Sequence, residues 1–221
     1  MREKVFLFIV EGPSDQDALI PWIANELRKL KIKVTVKVVY GDLLTEYVQN
    51  SKGIFNITSS NVKGKIKNIV DEFIKSPIIK ADQIKLKDIQ KIYYVTDTDN
   101  CFFNQKDSSI NKRNCLSKMF NFKMIEVNTT KNIEFEVIFF SQNLEDVLCS
   151  KKDATDDEKE RISIEFGMKT LKDRDLFIKT FTEENLKTWN SYSDSYEGIK
   201  NYTDRACNMN NLIDEIENFN S

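Results

Sequence analysis

The chain opens on an unbroken apolar run, Val5-Phe6-Leu7-Phe8-Ile9-Val10, which stops on Glu11-Gly12-Pro13-Ser14-Asp15. An uninterrupted run closed by turn residues is the pattern of a strand covered on both faces, as in the middle of a parallel sheet. A second such run, Ile92-Tyr93-Tyr94-Val95, ends on Thr96-Asp97-Thr98-Asp99-Asn100. Between them, residues 33–40 alternate valine with lysine and threonine, which predicts a strand with its lysines outward at the sheet edge. A further strand is predicted over 122–127.

Helical spacing governs the intervening stretches. Ala18, Leu19, Trp22, Ile23, Leu27 and Leu30 predict a helix over 14–30, capped by Ser14 or Asp15, with Pro21 as a kink or break. Val62, Ile66, Ile69, Val70 and Phe73 predict another over 61–75. Residues 98–112 lack periodicity and read as a loop over the strand ends, followed by a short helix over 112–120. Residues 132–141 and 143–149 are expected to be helical. Beyond about 150 the composition shifts to charged helices, expected at 155–166, 170–180, 183–190 and 195–218. This order predicts an α/β fold. A Rossmann-like parallel sheet flanked by helices would occupy 1–150, and a mainly helical C-terminal extension, 151–221, would pack on it.

Composition narrows the chemistry. With 221 residues, 40% hydrophobic and 31% charged, the chain suits a globular α/β domain with an appendage. A net charge of −2 supplies no global field for nucleic acid. There is no histidine, which excludes His-based triads, His general bases and His metal ligands. The four cysteines form no Cys-x-x-Cys pair and read as reduced thiols of a cytoplasmic protein. No apolar run approaches the roughly 18 residues of a membrane span. The charged start, leading straight into a strand, argues against a signal peptide.

Ligands of parallel sheets bind beyond the carboxyl ends of the strands. If the two acid-tipped strands are neighbours, Glu11, Asp97 and Asp99 meet at one edge. Three carboxylates there repel one another unless a cation joins them, and hard oxygen donors suit Mg²⁺ or Mn²⁺. Asp15 reads either as a helix cap or as a further ligand. Phe102 and Phe103 either stack bases or pack back on the core. Tyr93 and Tyr94 alternate across a strand and read as packing residues.

Strand–Glu11-Gly12-x-x-Asp15–helix, strand–Asp97-x-Asp99 and the segment Ile133-Glu134-Phe135-Glu136-Val137-Ile138-Phe139-Phe140-Ser141 together resemble the TOPRIM domain, the metal-binding module of topoisomerases, bacterial primases and several nucleases. The version here is most similar to the OLD-family nucleases and small stand-alone TOPRIM proteins associated with phage defence. The resemblance covers residues 4–149. It implies a metal on Glu11, Asp97 and Asp99, and a second ion on Asp15 with Glu136. On a helix Glu134 and Glu136 point about 200° apart and would not share one metal; Glu136 is preferred because its flanking Phe135 and Val137 resemble the family segment. It also implies a lysine at the site, for which Lys131, Lys169 and Lys172 are candidates, and metal-dependent cleavage of DNA or RNA. A topoisomerase is not expected, because no separate tyrosine-bearing domain is visible. Two other classes stand beside this one. One is a TOPRIM-fold binding subunit acting through a partner protein such as an ATPase. The other is a phosphohydrolase of small phosphates.

Overall fold

The computed structural model describes residues 4–49, 51, 53–127, 131–203 and 205–219. Strand β1 (Lys4–Val10) leads through helix α1 (Pro13–Lys29) to β2 (Ile32–Val38). Helices α2 (Val62–Lys75) and α3 (Pro77–Ala81) precede β3 (Ile89–Asp97), and α4 (Asp107–Met119) precedes β4 (Met124–Val127) and β5 (Lys131–Phe140). Helices α5 (Leu144–Cys149), α6 (Asp156–Lys172), α7 (Arg174–Thr182), α8 (Tyr192–Gly198) and α9 (Met209–Asn218) follow. The sheet order is β2-β1-β3-β5-β4. Its first four strands in that order are mutually parallel and β4 runs antiparallel to β5. The protein is therefore α/β, with a five-stranded, mostly parallel sheet flanked by helices.

Strand alternation sorts the apolar side chains into two layers. Val5, Leu7 and Ile9 of β1, with Ile92 and Tyr94 of β3, face the layer that holds Val62, Ile66 and Leu116 of α2 and α4. Phe6, Phe8 and Val10, with Tyr93 and Val95, face the layer of α1, α6, α7 and α9. The continuous apolar runs of β1 and β3 are thus explained, since both faces of each strand are covered.

Several expectations are corrected. The segment expected to be a helix over 132–141 is instead the interior strand β5, Lys131–Phe140. The cause is local: Ile133, Phe135, Val137 and Phe139 alternate with Asn132, Glu134, Glu136 and Ile138, and β-branched and aromatic residues dominate. The strand at 124–127 is an antiparallel edge rather than a parallel member. No helix forms over 183–190, where Lys187 instead bridges Ala206. The expected 195–218 helix is divided into α8 and α9. Helix α4 starts at Asp107, earlier than expected. Among the described residues, no helix is long and apolar enough to cross a membrane.

Helix α1 runs through Pro21, and the structure shows what that residue does. Proline has no N–H to return to the carbonyl of Asp17. Gly167 of α6 sits against that carbonyl: a Cβ on Gly167 would lie 2.1 Å from Asp17 O and 3.3 Å from Pro21 Cγ. The two helices meet backbone to backbone here. Gly167→Ala should therefore destabilise the fold by about 2 kcal/mol, although alanine is the better helix former. Urea denaturation measures this, and an unchanged or higher midpoint would contradict the close approach.

Candidate functional site

Strand β1 lies between β2 and β3 with α1 on one face and α2 and α4 on the other, so the chain changes sides at its carboxyl end. Crevices of this kind are where open α/β sheets bind ligands. The pairing of Val10 with Val95 brings Glu11 and Asp97 to the same edge. The Thr96 hydroxyl donates to Glu11 Oε1 at 2.5 Å. Asp99 and Asn100 both have left-handed backbones, with φ of 49° and 52°, a conformation that costs energy in non-glycine residues. The amides of Thr98, Asp99 and Asn100 hold it by donating to the carbonyls of Phe140, Gln142 and Ser141 at 2.7, 3.1 and 3.0 Å. The Asp97-x-Asp99 turn is thereby fastened to the end of β5.

A lysine side chain stands among three carboxylates of this edge, Glu11, Asp42 and Asp99. Lys112 of α4 is 1% exposed, and its Nζ lies 2.8 Å from Asp99 Oδ2, 2.9 Å from Asp42 Oδ2 and 4.0 Å from Glu11 Oε1. Burial alone would lower its pKa, but Glu11, Asp42 and Asp99 more than offset this and hold the ammonium well above the usual lysine range. None of the three expected lysines takes this place. Lys131 donates to the carbonyls of Lys87 and Ile89, at the start of β3. Lys169 pairs with Glu165 on the exposed side of α6, and Lys172 is exposed in the last turn of that helix.

The acids divide between the two faces. Glu11 continues the odd-numbered face of β1, toward α4, and gathers with Asp42 and Asp99 around Lys112. Asp97 continues the face of Tyr93 and Val95, toward α1, where Asp15 stands in the first turn. Asp15 Oδ2 accepts the Gly12 N–H at 2.9 Å, so it does fasten the helix start. Burial, then the Glu145 charge, pushes its carboxyl up to about 6 against that hydrogen bond. Burial also pushes Glu11 up to about 8, with Lys112 pulling the other way. Asp97 is raised well above the carboxylate range by burial and then by Asp15, Glu11 and Asp99. Asp97 Oδ1 and Glu145 Oε2 are buried without a hydrogen-bond partner, and Glu145 is only 3% exposed.

Glu136 is not part of this group. It lies on β5 opposite Tyr93, four residues before the strand ends at Phe140, which is roughly 13 Å along the strand. Its Oε2 accepts the Tyr196 hydroxyl at 2.7 Å. Glu134 is further back, 3.9 Å from Lys91. The acid that accompanies Asp15 is Glu145, in the first turn of α5.

Among the described residues, no group of three or more Asp, Glu or Cys side chains is placed to hold a metal ion as it stands. The donor chemistry nonetheless fits a hard cation: the oxygens are carboxylate and two of them are buried and unpaired. Mg²⁺ commonly binds through one or two carboxylates and keeps its remaining positions for water or phosphate. Beside Asp99 lies a cleft of about 490 Å³, lined by Asp42, Asn104, Lys106, Ser108 and Lys112 among others. Phe102 packs back on the core and Phe103 is exposed beside it. Tyr93 and Tyr94 are fully buried, and the Tyr93 hydroxyl donates to Glu215 at 3.0 Å.

The raised acids carry a pH signature. A carboxyl with a folded pKa above its unfolded value stabilises the fold below the unfolded pKa, and that stability is lost as pH rises through the folded value. For Glu11 this window runs from 4.5 to about 8, and for Asp15 from 3.8 to about 6. In EDTA the protein should lose about 3 kcal/mol of stability between pH 5 and pH 8 from Glu11 alone. Urea midpoints across that range test it; a rise toward pH 8 would contradict the burial of these acids.

Asp42, Lys112 and Glu145 are the residues that reading the sequence missed. Asp42 follows Gly41 just beyond β2 and had the look of a turn residue, which it also is: its Oδ1 accepts the Leu44 N–H at 2.9 Å. Glu145 stands five positions after a strand end, a signal visible once 131–140 is taken as a strand. Lys112 carries no local signal. Comparison with known proteins finds no family model, no curated protein and no solved structure that matches the chain.

Proposed function

We propose that the chain is a TOPRIM-like, Mg²⁺- or Mn²⁺-dependent nuclease that hydrolyses nucleic-acid phosphodiester bonds, in a role such as anti-phage defence. The observation that supports this reading is the convergence of Glu11, Asp15, Asp97, Asp99 and Glu145 at one sheet edge, with Asp97 Oδ1 and Glu145 Oε2 buried and unpaired. A divalent ion bound there supplies Lewis acidity toward a phosphate and acidifies water, which matters in a chain without histidine. The chain's own residues orient the site. Thr96 fixes Glu11, the carbonyls of Phe140, Ser141 and Gln142 fix the Asp97–Asp99 turn, and Lys106 lines the adjoining cleft beside the buried, ion-paired Lys112. Purified chain should cut single-stranded DNA, duplex DNA or RNA when Mn²⁺ is present and stop when EDTA is added. Metal-independent cleavage, or turnover of nucleotides alone, would overturn the reading.

A second reading rests on a different observation. Ile164, Met168 and Leu171 lie on one face of α6 and are exposed by 40%, 56% and 53%. This apolar stripe suits a binding subunit that acts through a partner such as an ATPase. In that case cleavage would appear only with the partner present.

A further inference from the structure

We propose that the acidic site takes a single divalent ion, on the Asp15, Asp97 and Glu145 side, because the Lys112 ammonium already fills the second cation position. The inference rests on the metal-dependent reading above and concerns how many ions that site admits.

The geometry divides the carboxylates unequally. On the α4 side, Lys112 donates to Asp99 Oδ2 at 2.8 Å and to Asp42 Oδ2 at 2.9 Å, and reaches within 4.0 Å of Glu11. Asp99 and Asp42 each give one oxygen to this ammonium, and a buried ammonium there repels a divalent ion. The ammonium is also hard to displace. Lys112 is 1% exposed, so swinging it out would leave its carboxylate partners without a cation. On the α1 side the situation is reversed. Asp97 Oδ1 and Glu145 Oε2 are buried, accept no hydrogen bond, and have Asp15 beside them on the first turn of α1. Lys159 acts on Asp15 and Lys112 on Asp97 only through their fields, and two or three carboxylates with free oxygens and no ion-paired ammonium are what Mg²⁺ or Mn²⁺ uses when water and phosphate complete its shell. Lys112 lines the cleft next to Asp99.

The test is a titration of the full chain with MnCl₂, by calorimetry and by the electron-spin signal of free Mn²⁺, at pH 8. One ion per chain is expected. Glu145→Gln and Asp97→Asn should each weaken binding at least about tenfold, while Asp42→Asn and Asp99→Asn change it by less than about threefold. Lys112→Met should raise the count to two. The wild-type count and the Asp99→Asn result do not depend on whether Lys112→Met folds. Two ions in the wild type, or Asp99→Asn weakening binding as much as Glu145→Gln, would overturn the inference while leaving metal dependence intact. No bound ion at millimolar Mn²⁺ would overturn both.

Discussion

Asp97→Asn should abolish metal-dependent cleavage and at the same time make the metal-free protein harder to unfold at pH 8. The two effects have one cause. Asp97 sits at the edge of the crevice, its Oδ1 buried and unpaired, and its carboxyl is held well above the usual range by burial and by Asp15, Glu11 and Asp99. A negative charge there costs stability unless a cation shares it. Asparagine keeps the shape and removes the charge. Cleavage should fall at least about a hundredfold. The thermal midpoint in EDTA should rise by about 3 °C, the shift that roughly 1 kcal/mol gives a chain of this size. Glu11→Gln should act in the same direction, because Thr96 can still donate to the amide oxygen. The gain in stability should shrink at pH 5, where wild-type Glu11 is already protonated, its pKa being about 8. Cleavage kinetics and thermal melts at both pH values check this. Retained cleavage would remove Asp97 from the site, and a lower midpoint at pH 8 would remove the like-charge account.

Trp22→Ala should cost about 4 kcal/mol, the largest stability loss expected of any single side chain here. Trp22 is 1% exposed. Its ring stacks on Phe177 with centroids 4.1 Å apart and planes 2° from parallel, and its Nε1–H donates to the Arg174 carbonyl at 3.2 Å. Phe177 leans on Phe166 and Phe181 at 5.9 and 4.7 Å, and Phe181 leans on Phe140 of β5 at 6.2 Å. One aromatic chain therefore joins α1, α6, α7 and the sheet, and truncation at Trp22 opens a cavity in the middle of it. Against a typical total of roughly 5–15 kcal/mol, the loss is large enough to populate the unfolded state. Trp22→Phe, which keeps an aromatic ring and loses the hydrogen bond, should cost less, with about 1 kcal/mol of its loss coming from that bond. Urea unfolding followed by tryptophan fluorescence and by circular dichroism distinguishes the cases, with Trp189 as the remaining fluorophore. A loss below about 1 kcal/mol for Trp22→Ala would mean that the helices after residue 150 are not part of the cooperative unit.

How much of this was legible beforehand differs by residue. β1 and β3 declared themselves through unbroken apolar runs ended by acids, and α1 through its apolar spacing. The strand at 131–140 also declared itself, in the alternation of Ile133, Phe135, Val137 and Phe139. The resemblance to an acidic helix segment points the other way there, and local periodicity proved the better guide. That one assignment carried the site with it. On a helix, Glu136 belongs to the second metal; on β5 it lies mid-strand against Tyr196, and the acid near Asp15 becomes Glu145.

The sequence by itself determined the α/β class, the two acid-tipped strands and the need for a positive charge among Glu11, Asp97 and Asp99. These follow from periodicity and like-charge repulsion, which are properties of short segments. Tertiary structure alone decided that Lys112 answers that need for Asp99 and Glu11, with Asp42 added, and leaves Asp97 Oδ1 without a partner. Lys112 meets Asp99, 13 positions before it, and Asp42, 70 positions before it, only because α4 crosses the sheet edge where three strands end. No local pattern encodes an ion pair between a helix and two separate loops, since its energy depends on burial and distance, and both exist only once the sheet has formed.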